Sequence, residues 1–331
     1  MAIKSSGSLS ITTDIVGEFG GSTPHSISEY VRGGSLVPDG PSANANIPTS
    51  TSNIQFSDFY GAVNETDLSQ VLTPVTINGE DTAKQITVSN YISSGGVLTI
   101  PSSLWVWTDS TSTAALIIDI PCTIKNSGKI IGQGGNGSYG RGGAGQAGGP
   151  AIKINSGVSG VTIINNSGAY IAGGGGGGAG YESGGDFAGG GGGAGGGKGA
   201  KGNQYAADSW NTAGGIINAV GESGGNSTGG GAGGEGGERH DVYNSQQQGA
   251  GGGRILPGVG GSGNGGGDGG SAGNAGSFHN YAGGGGGGGW GAAGGNGYYN
   301  GTVSGGAGGA AISDSGVTYT LTNNGTIYGA T

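Results

Sequence analysis

Short runs of β-branched and aliphatic residues, separated by Gly, Pro, Asn or Asp, dominate residues 63–130. The runs that predict strands are Val75–Ile77, Gln85–Val88, Val97–Ile100, Leu104–Trp107 and Ala115–Ile118. β-Branched and aromatic residues between turn-forming residues are typical of strands. No segment repeats its apolar residues with a sustained helical period, although Ser26–Val31 is suited to one helical turn. We therefore predict a mostly β protein with almost no α-helix.

Three further segments share one pattern: a short β-branched strand, an Asn/Gly turn and a second short strand. These segments are Cys122–Gly132, Val161–Gly173 and Tyr319–Gly329. The first two lead directly into glycine-rich sequence, and the third follows that sequence. Glycine-rich arms that leave strands and return to strands indicate a small β base that carries them.

Glycine supplies 90 of the 331 residues, and most of it lies between Ile131 and Ala310. A flexible linker is one interpretation of such sequence. Collagen is excluded, because the period drifts and only Pro150 and Pro257 lie in the region. The strands on either side favour a third interpretation, a bundle of polyproline-II-type helices. At about 3.1 Å per residue, the run Gly189–Gly199 would then form one arm of roughly 34 Å.

The chain accordingly divides into four parts. Residues 1–62 are mixed and rich in proline, residues 63–130 form a β-rich domain, residues 131–310 form the glycine-rich bundle with its loops, and residues 311–331 complete the β base.

Composition limits the partners of the protein. Charged residues make up 9% of the chain and the formal net charge is −9, so nucleic acid is not an expected partner. No apolar run reaches the roughly 20 residues of a membrane span, and no secretory signal pattern opens the sequence, so we expect cytoplasmic synthesis without membrane insertion. The single Cys122 excludes an internal disulfide and is expected to be a buried thiol.

Motifs of enzymes and metal sites are incomplete. Gly135–Gly140 satisfies G-x-G-x-x-G without a following helix, and the P-loop-like stretch from Gly192 has Gly199 where Ser or Thr is required. The three histidines do not form a group with zinc spacing. We therefore expect no catalytic site, no metal and no cofactor.

Several segments resemble proteins of tailed bacteriophages. Those that resemble an N-terminal module of phage virion proteins are Gly7–Ile15, Glu18–Gly21, Ser28–Gly34, Val37-Pro38, Ile47-Pro48 and Phe56–Gly61. Those that resemble the distal part of tail and tail-fibre proteins are Leu98–Pro101, Leu104–Trp107 and Asn126–Gly137. The glycine arms resemble the receptor-binding tip adhesins of T-even-like long tail fibres, in which loops between glycine helices contact the host.

This resemblance implies an adhesin on the phage tail or fibre tip. Its N-terminal module would attach to other virion proteins, with Phe56, Asp58, Phe59 and Tyr60 as the attachment residues. The glycine bundle would present loops to a bacterial surface receptor, either protein or polysaccharide. A structural or decoration protein of the virion is the alternative, and an ice-binding protein is a remote one.

Aromatic, Arg, His and Asp residues on the loops between arms are the expected receptor contacts. They are Tyr139, Arg141, Tyr181, Asp186, Phe187, Arg239, His240, Asp241, Tyr243, Phe278, His279, Tyr281, Tyr298 and Tyr299.

Each excursion from the β base needs an even number of arms, so turns alternate between the outer end and the base. The predicted outer turns are Ser138–Arg141, Tyr181–Phe187, Glu238–Gln248, Ser277–Tyr281 and Tyr298–Ser304. The predicted base turns are Ala200–Gly221, Arg254–Pro257 and Trp290–Ala293. This scheme gathers most of the loop aromatics at the outer end, and leaves Tyr205 and Trp210 at the base.

Overall fold

The computed structural model of the protein describes residues 2–38, 44–77, 79–138, 143–183, 186–188, 190–200, 210–213, 284–298 and 302–331. These residues are mostly β with few helices, which confirms the predicted class. The strands, in chain order, are β1 (Glu65–Asp67), β2 (Val75–Ile77), β3 (Glu80–Lys84), β4 (Ile86–Thr87), β5 (Val97–Ile100), β6 (Leu104–Trp107), β7 (Leu116–Ile118), β8 (Thr123–Asn126), β9 (Lys129–Ile131), β10 (Ile152–Ile154), β11 (Val161–Asn165), β12 (Tyr170–Ala172), β13 (Tyr181–Ser183), β14 (Asp186–Ala188), β15 (Lys198–Ala200), β16 (Trp210–Ala213), β17 (Gly297–Tyr298), β18 (Thr302–Val303), β19 (Ile312–Ser313), β20 (Tyr319–Asn323) and β21 (Thr326–Tyr328).

The helices among the described residues are short. Two are α-helices, α1 (Val16–Phe19) and α2 (Leu68–Val71). The 3-10 helices are Ile27–Glu29, Phe56–Phe59 and Val88–Asn90, and Ile11–Ile15 is a π-helical turn. The first of the 3-10 helices lies within the stretch that the sequence marks as suited to one helical turn.

Three sheets form the sides of a parallel β-solenoid. The first has the order β1-β5-β8-β11-β20, the second β2-β3-β6-β9-β12-β21 and the third β4-β7-β10-β19. Neighbouring strands in these sheets are parallel, apart from the antiparallel pair β2–β3. From β3 onward, successive strands of the base occupy the second, third and first sheets in turn, so each coil places one strand in each sheet.

The three strand-turn-strand segments stack on one another. Within a segment the two strands do not pair with each other: β8 lies in the first sheet and β9 in the second. Each strand instead pairs in parallel with its counterpart in the next segment, so β8 pairs with β11, and β11 with β20. The repeated sequence pattern is therefore the signature of successive solenoid coils, which share a register because they share the same residue pattern.

A ladder of asparagines runs through the stack. The Nδ2 of Asn126 donates to the Oδ1 of Asn165 at 2.9 Å, and the Nδ2 of Asn165 donates to the Oδ1 of Asn323 at 2.8 Å. Asn126 and Asn165 are fully buried. A buried amide is costly without hydrogen-bond partners, and the parallel register supplies those partners from the adjacent coils.

We expect Asn165→Ala to lower the free energy of unfolding by about 2 kcal/mol, because it leaves the buried groups around it without partners. The Asn165 amide also reaches the Thr326 carbonyl oxygen at 3.3 Å. Chemical denaturation measures the loss. Asn324→Ala, at an exposed position one coil away, is the matched control and should change stability little. Equal losses in the two variants would contradict the role of the ladder.

The solenoid core is apolar, and Cys122 lies in it. The strand patterns alternate, with inward residues such as Leu98, Ile124 and Ile163 fully buried. Cys122 is a free, buried cysteine, as the sequence predicts. Its burial, with a smaller contribution from the nearby Asp119 carboxylate, raises the pKa of the thiol to about 12.

The raised pKa predicts an inert thiol in the native protein. A thiolate is the reactive species, and at pH 8 Cys122 remains protonated. We expect no reaction with a thiol reagent in the native state and one equivalent after denaturation, measured spectrophotometrically. Rapid stoichiometric labelling of native protein would contradict the burial of Cys122.

Residues 2–62 form their own apolar cluster. Its fully buried members are Ile15, Tyr30, Val37, Ile47, Phe59 and Ala62. Hydrogen bonds connect this N-terminal unit to the start of the solenoid. The Nδ2 of Asn44 donates to the Val63 carbonyl oxygen at 2.9 Å, and the backbone N–H of Asn64 donates to the Oε1 of Glu18 at 2.8 Å.

Both glycine-rich insertions leave the solenoid at the same corner. The first lies between β9 and β10 and the second between β12 and β19, each joining the second sheet to the third. These departures and returns agree with the sequence, which places them near Ile131, Ala151, Ile171 and Ala311. The glycine segments of the two insertions therefore lie side by side on one corner of the base.

Candidate functional site

Seven glycine-rich arms pack side by side among the described residues. By number they cover residues 132–138, 143–149, 173–180, 190–194, 284–289, 292–296 and 304–310. The arm at residues 173–180, here called the central arm, exchanges backbone hydrogen bonds with all six others.

The central arm donates to three arms and accepts from the other three. Its N–H groups at residues 174, 177 and 180 bond to the carbonyl oxygens of residues 149, 146 and 143. The N–H groups at 175 and 178 bond to the carbonyl oxygens of residues 194 and 191, and those at 176 and 179 bond to the carbonyl oxygens of residues 292 and 295, all at 2.7–3.0 Å. Its carbonyl oxygens at residues 174 and 177 accept from the N–H groups of residues 309 and 306. Those at 175 and 178 accept from the N–H groups of residues 135 and 138, and those at 176 and 179 accept from residues 288 and 285, all at 2.7–2.9 Å. Each neighbour is thus contacted at every third residue. Where the partner numbers rise along the central arm, as at 135 and 138, the partner arm runs away from the base like the central arm. Where they fall, as at 149, 146 and 143, the partner arm runs back toward the base.

Glycine is required where arms meet. A Cβ added to Gly177 would collide with the carbonyl of Asn136, and one added to Gly178 with the carbonyl of Gly285. Residues with larger side chains occupy more exposed positions three apart, such as Gln133 with Asn136 and Ala144 with Ala147. The close approach of the arms accounts for the glycine content of the region.

One end of the bundle rests on the solenoid. The turn at Trp290 is buried there, with Trp290 in one apolar cluster with Trp105 and Trp107 of β6 and Ile131 of β9. The structure thus places the Trp290–Ala293 turn at the base, as the arm count predicts. The sequence predicted the tryptophans of β6 only as strand residues. In this strand Val106 faces the solenoid core, whereas Trp105 and Trp107 face outward and are covered by the bundle. Large apolar residues at the outward positions of a strand are the signal that could have predicted this contact.

A second base turn corrects the predicted arm Gly189–Gly199. The chain turns at residues 194–196, and the N–H of Gly197 bonds back to the Gly193 carbonyl oxygen at 3.0 Å. Gly195 and Gly196 have φ values of +100° and +96°, which side chains rarely adopt. The run is therefore not a single straight arm of roughly 34 Å. After this turn, β15 and β16 pair as an antiparallel ribbon.

Two hairpins of the described residues lie at the end away from the solenoid. β13 and β14 form an antiparallel hairpin, and β17 and β18 form another. β13 lies against β17, so these two hairpins are neighbours. The N–H of Gly180 bonds to the Gly143 carbonyl oxygen at 3.0 Å, so the start of the second arm lies beside the first hairpin.

Four of the residues predicted to contact a receptor fall in described backbone. Tyr181 begins β13, Asp186 and Phe187 lie in β14, and Tyr298 ends β17. All four thus belong to the two adjacent outer hairpins. The others lie outside the described residues: Tyr139, Arg141, Arg239, His240, Asp241, Tyr243, Phe278, His279, Tyr281 and Tyr299.

The four predicted attachment residues differ in exposure. Phe59 is fully buried, with ring centroids 6.5 Å from Phe19 and 6.4 Å from Tyr30. Asp58 caps its own 3-10 helix, accepting from the Gln55 N–H at 2.7 Å. Tyr60 is half-buried and donates its hydroxyl proton to the Gly7 carbonyl oxygen. Phe56 is 44% exposed, so it is the member of this set most available to a partner.

Charge contributes little to the described part of the bundle. The seven arms contain no Asp, Glu, Lys or Arg, so backbone hydrogen bonds, and not ion pairs, hold them together. No three His, Cys, Asp or Glu side chains gather into a possible metal site within the described ranges. Nor does any helix described by the structure combine the length and apolarity that a membrane crossing requires.

The described residues thus form a β-solenoid that carries glycine arms, with two adjacent hairpins at the far end of those arms. The family model of the phage tail fibre adhesin Gp38 matches residues 46–241, which is more than half of the chain. The chain therefore belongs to the Gp38 family of phage tail fibre adhesins.

Among solved structures, the chain is similar to one described as the gp37-gp38 adhesin tip complex of the bacteriophage S16 long tail fiber. The identity is 18%, the TM-score is 0.41, and the match covers 80% of this chain and 89% of that one. No curated protein matches the sequence.

Proposed function

We propose that this protein is the receptor-binding adhesin of a phage tail fibre and that it contacts a bacterial surface molecule through the outer turns of its glycine arms. The observation that carries the proposal is the position of those turns. The opposite turns, at residues 194–196 and at Trp290, are buried against the base, so the outer turns are the part of the bundle available to a large partner. Loops held by a rigid scaffold are the usual place for recognition.

We also propose that the arms are polyproline-II-type helices. Such helices have three residues per turn and no internal hydrogen bonds. The three-residue repeat of the bonds from the central arm to each neighbour supports this assignment. The three-residue spacing of the more exposed positions, as at Gln133 and Asn136, supports it independently. A helix of this type directs its backbone groups in three directions, which suits a lattice in which each arm has several neighbours.

The receptor contacts in this proposal are aromatic and charged residues of the turns. Tyr181, Asp186, Phe187 and Tyr298 belong to the two adjacent hairpins, and Tyr139 and Arg141 belong to the outer turn predicted at Ser138–Arg141. Rigid aromatic side chains supply contact area at a low entropic cost, and Arg adds hydrogen bonds. The remaining predicted contacts, from Arg239 to Tyr281 and at Tyr299, are assigned to this surface on the arm count alone.

Adsorption of purified protein to host cells tests the proposal. The wild-type protein should bind cells on which the phage grows and should compete with phage particles. Tyr181→Ala combined with Tyr298→Ala should weaken binding at least about thirtyfold, since a single hot-spot aromatic contributes roughly 2 kcal/mol or more. Tyr205→Ala with Trp210→Ala, in the predicted base connection, is the matched control and should retain binding.

Each outcome of this assay has a distinct meaning. Failure of the folded wild-type protein to bind cells would favour the alternative of a structural virion protein. Loss of binding only in the Tyr205 and Trp210 pair would show that the opposite end of the bundle faces the host. Thermal unfolding of each variant separates loss of contact from loss of structure.

We further propose that residues 1–62 attach the protein to another protein of the tail fibre, so that it is located at the fibre tip. The presence of gp37 beside gp38 in the S16 complex is consistent with such a partner. Of Phe56, Asp58, Phe59 and Tyr60, the exposure of Phe56 makes it the direct contact, and the other three support the surface around it. Phe56→Ala should reduce incorporation into phage particles while leaving the fold intact. Normal incorporation would remove Phe56 from the interface.

A further inference from the structure

A cleft lies where the N-terminal unit meets the first coils of the solenoid. It has a volume of about 400 Å³, within the range of about 300–1,000 Å³ of small-molecule sites. One wall is the segment from Gly33 to Pro38, and the other is Val71 with the segment from Ser89 to Ser93. The hydroxyl of Ser93 donates to the Ser35 carbonyl oxygen, so the two walls are bonded to each other at one side.

The lining of the cleft combines polar and apolar residues and carries no charge. None of its residues is Asp, Glu, Lys, Arg or His. Phosphate and carboxylate ligands are recognised mainly by Arg and Lys, and calcium and magnesium sites in proteins are built mainly on carboxylate oxygens. The cleft therefore lacks the chemistry for an anion, a nucleotide or a metal ion.

Two kinds of surface face a ligand in the cleft. Asn90 is exposed, and its amide has no hydrogen-bond partner among the described residues, so it offers both donors and an acceptor. Val71 is 40% exposed and Tyr91 is half-buried, and both add apolar area. Burial raises the pKa of the Tyr91 hydroxyl, and the phenol is neutral at physiological pH with or without this shift.

We propose that this cleft is a binding site for a neutral saccharide unit. Sugar rings combine polar edges with apolar faces, and the cleft pairs an uncommitted amide with exposed apolar side chains. The site differs from the proposed receptor surface, since it lies at the N-terminal unit and shares no residue with the outer turns.

Ligand-observed saturation-transfer NMR on the full chain tests the site. Glucose, galactose and N-acetylglucosamine serve as neutral probes, and N-acetylneuraminic acid as the charged probe. For ligands of this size we expect an affinity on the order of 1 mM. At least one neutral sugar should show saturation transfer, and the charged sugar should not.

Three variants locate the binding. Ser35→Trp, at an exposed position in the wall, should fill the cleft and abolish the signal. Asn90→Ala should weaken binding at least about fivefold by removing the amide. Asn324→Ala removes an equally exposed asparagine from the far end of the solenoid and should leave binding unchanged. Thermal unfolding confirms that each variant is folded.

Several results would overturn the proposal. One is the absence of transfer to every neutral probe. Another is equal or stronger binding of the charged sugar. A third is binding that survives in folded Ser35→Trp, which would place the sugar elsewhere on the protein. None of these results bears on adsorption through the outer turns, so the two proposals stand or fall separately.

Discussion

A Gly177→Val variant is expected to lose the packed glycine bundle. Gly177 lies in the central arm, where it donates to the Gln146 carbonyl oxygen at 2.8 Å and accepts from the Gly306 N–H at 2.7 Å. A Cβ at this position would collide with the backbone of Asn136. Backbone cannot move aside as a flexible side chain can, so the arm at residues 132–138 would have to separate from the central arm, and its hydrogen bonds would break.

The expected cost exceeds about 3 kcal/mol, at the upper end of overpacking effects, because both sterics and hydrogen bonds are lost. It corresponds to a fall in Tm of at least about 6 °C for a unit of this size. Native-state amide exchange gives the local measurement: protection of the N–H groups at residues 174–180 should disappear.

Ala307→Val is the matched control for this prediction. Ala307 lies in a neighbouring arm but is exposed, so two extra methyl groups there meet solvent. We expect Tm and amide exchange close to wild type. If the two valine variants are equally stable, or if the wild-type amides of the central arm exchange freely, the close-packed lattice is refuted.

The second large effect is expected at Phe59, in the N-terminal unit. Phe59 is fully buried and packs edge-on against Phe19 and Tyr30. Replacement of a buried Phe by Ala removes its apolar contacts and leaves a cavity, at a typical cost of 3–5 kcal/mol. Phe59→Ala should therefore unfold or loosen residues 2–62.

Phe56→Ala supplies the control within the same 3-10 helix. Because Phe56 is 44% exposed, its loss should cost less than about 1 kcal/mol. Thermal unfolding, with amide exchange of the N-terminal unit, distinguishes the two variants. A large loss of stability in Phe56→Ala with a small loss in Phe59→Ala would show that Phe56, and not Phe59, is the buried residue of this 3-10 helix.

Much of the candidate site follows from local sequence signals. The turn at Trp290 was predicted because an even number of arms requires a turn within Gly283–Gly297, and the structure buries Trp290 against the base. The outer turns at Tyr181–Phe187 and Tyr298–Ser304 were predicted because aromatic residues interrupt the glycine there, and both contain hairpins. Interruptions carry information because a bulky side chain has no place between close-packed arms.

The same reasoning failed where glycine continues through a turn. The base turn at residues 194–196 lies inside the run Gly189–Gly199. Glycine suits both a close-packed arm and a turn with positive φ, so the sequence has no local signal there. The turn packs closely against Gly132 and Trp290, which a Cβ on Gly195 would contact, so contacts with distant parts of the chain accompany the change of direction.

By itself, the sequence determined that the protein is mostly β, that its glycine segments leave strands and return to strands, and that aromatic residues interrupt the glycine. These features depend on residues close together in the chain, through propensity, spacing and turn chemistry. The tertiary structure decided that the paired segments stack as parallel coils, that both insertions share one corner, and that one arm is surrounded by six others. Such pairings join residues far apart, as with Asn165 and Asn323, which are 158 positions apart along the chain. Complementary hydrogen bonds and burial across that distance select the pairing, and no local pattern specifies it.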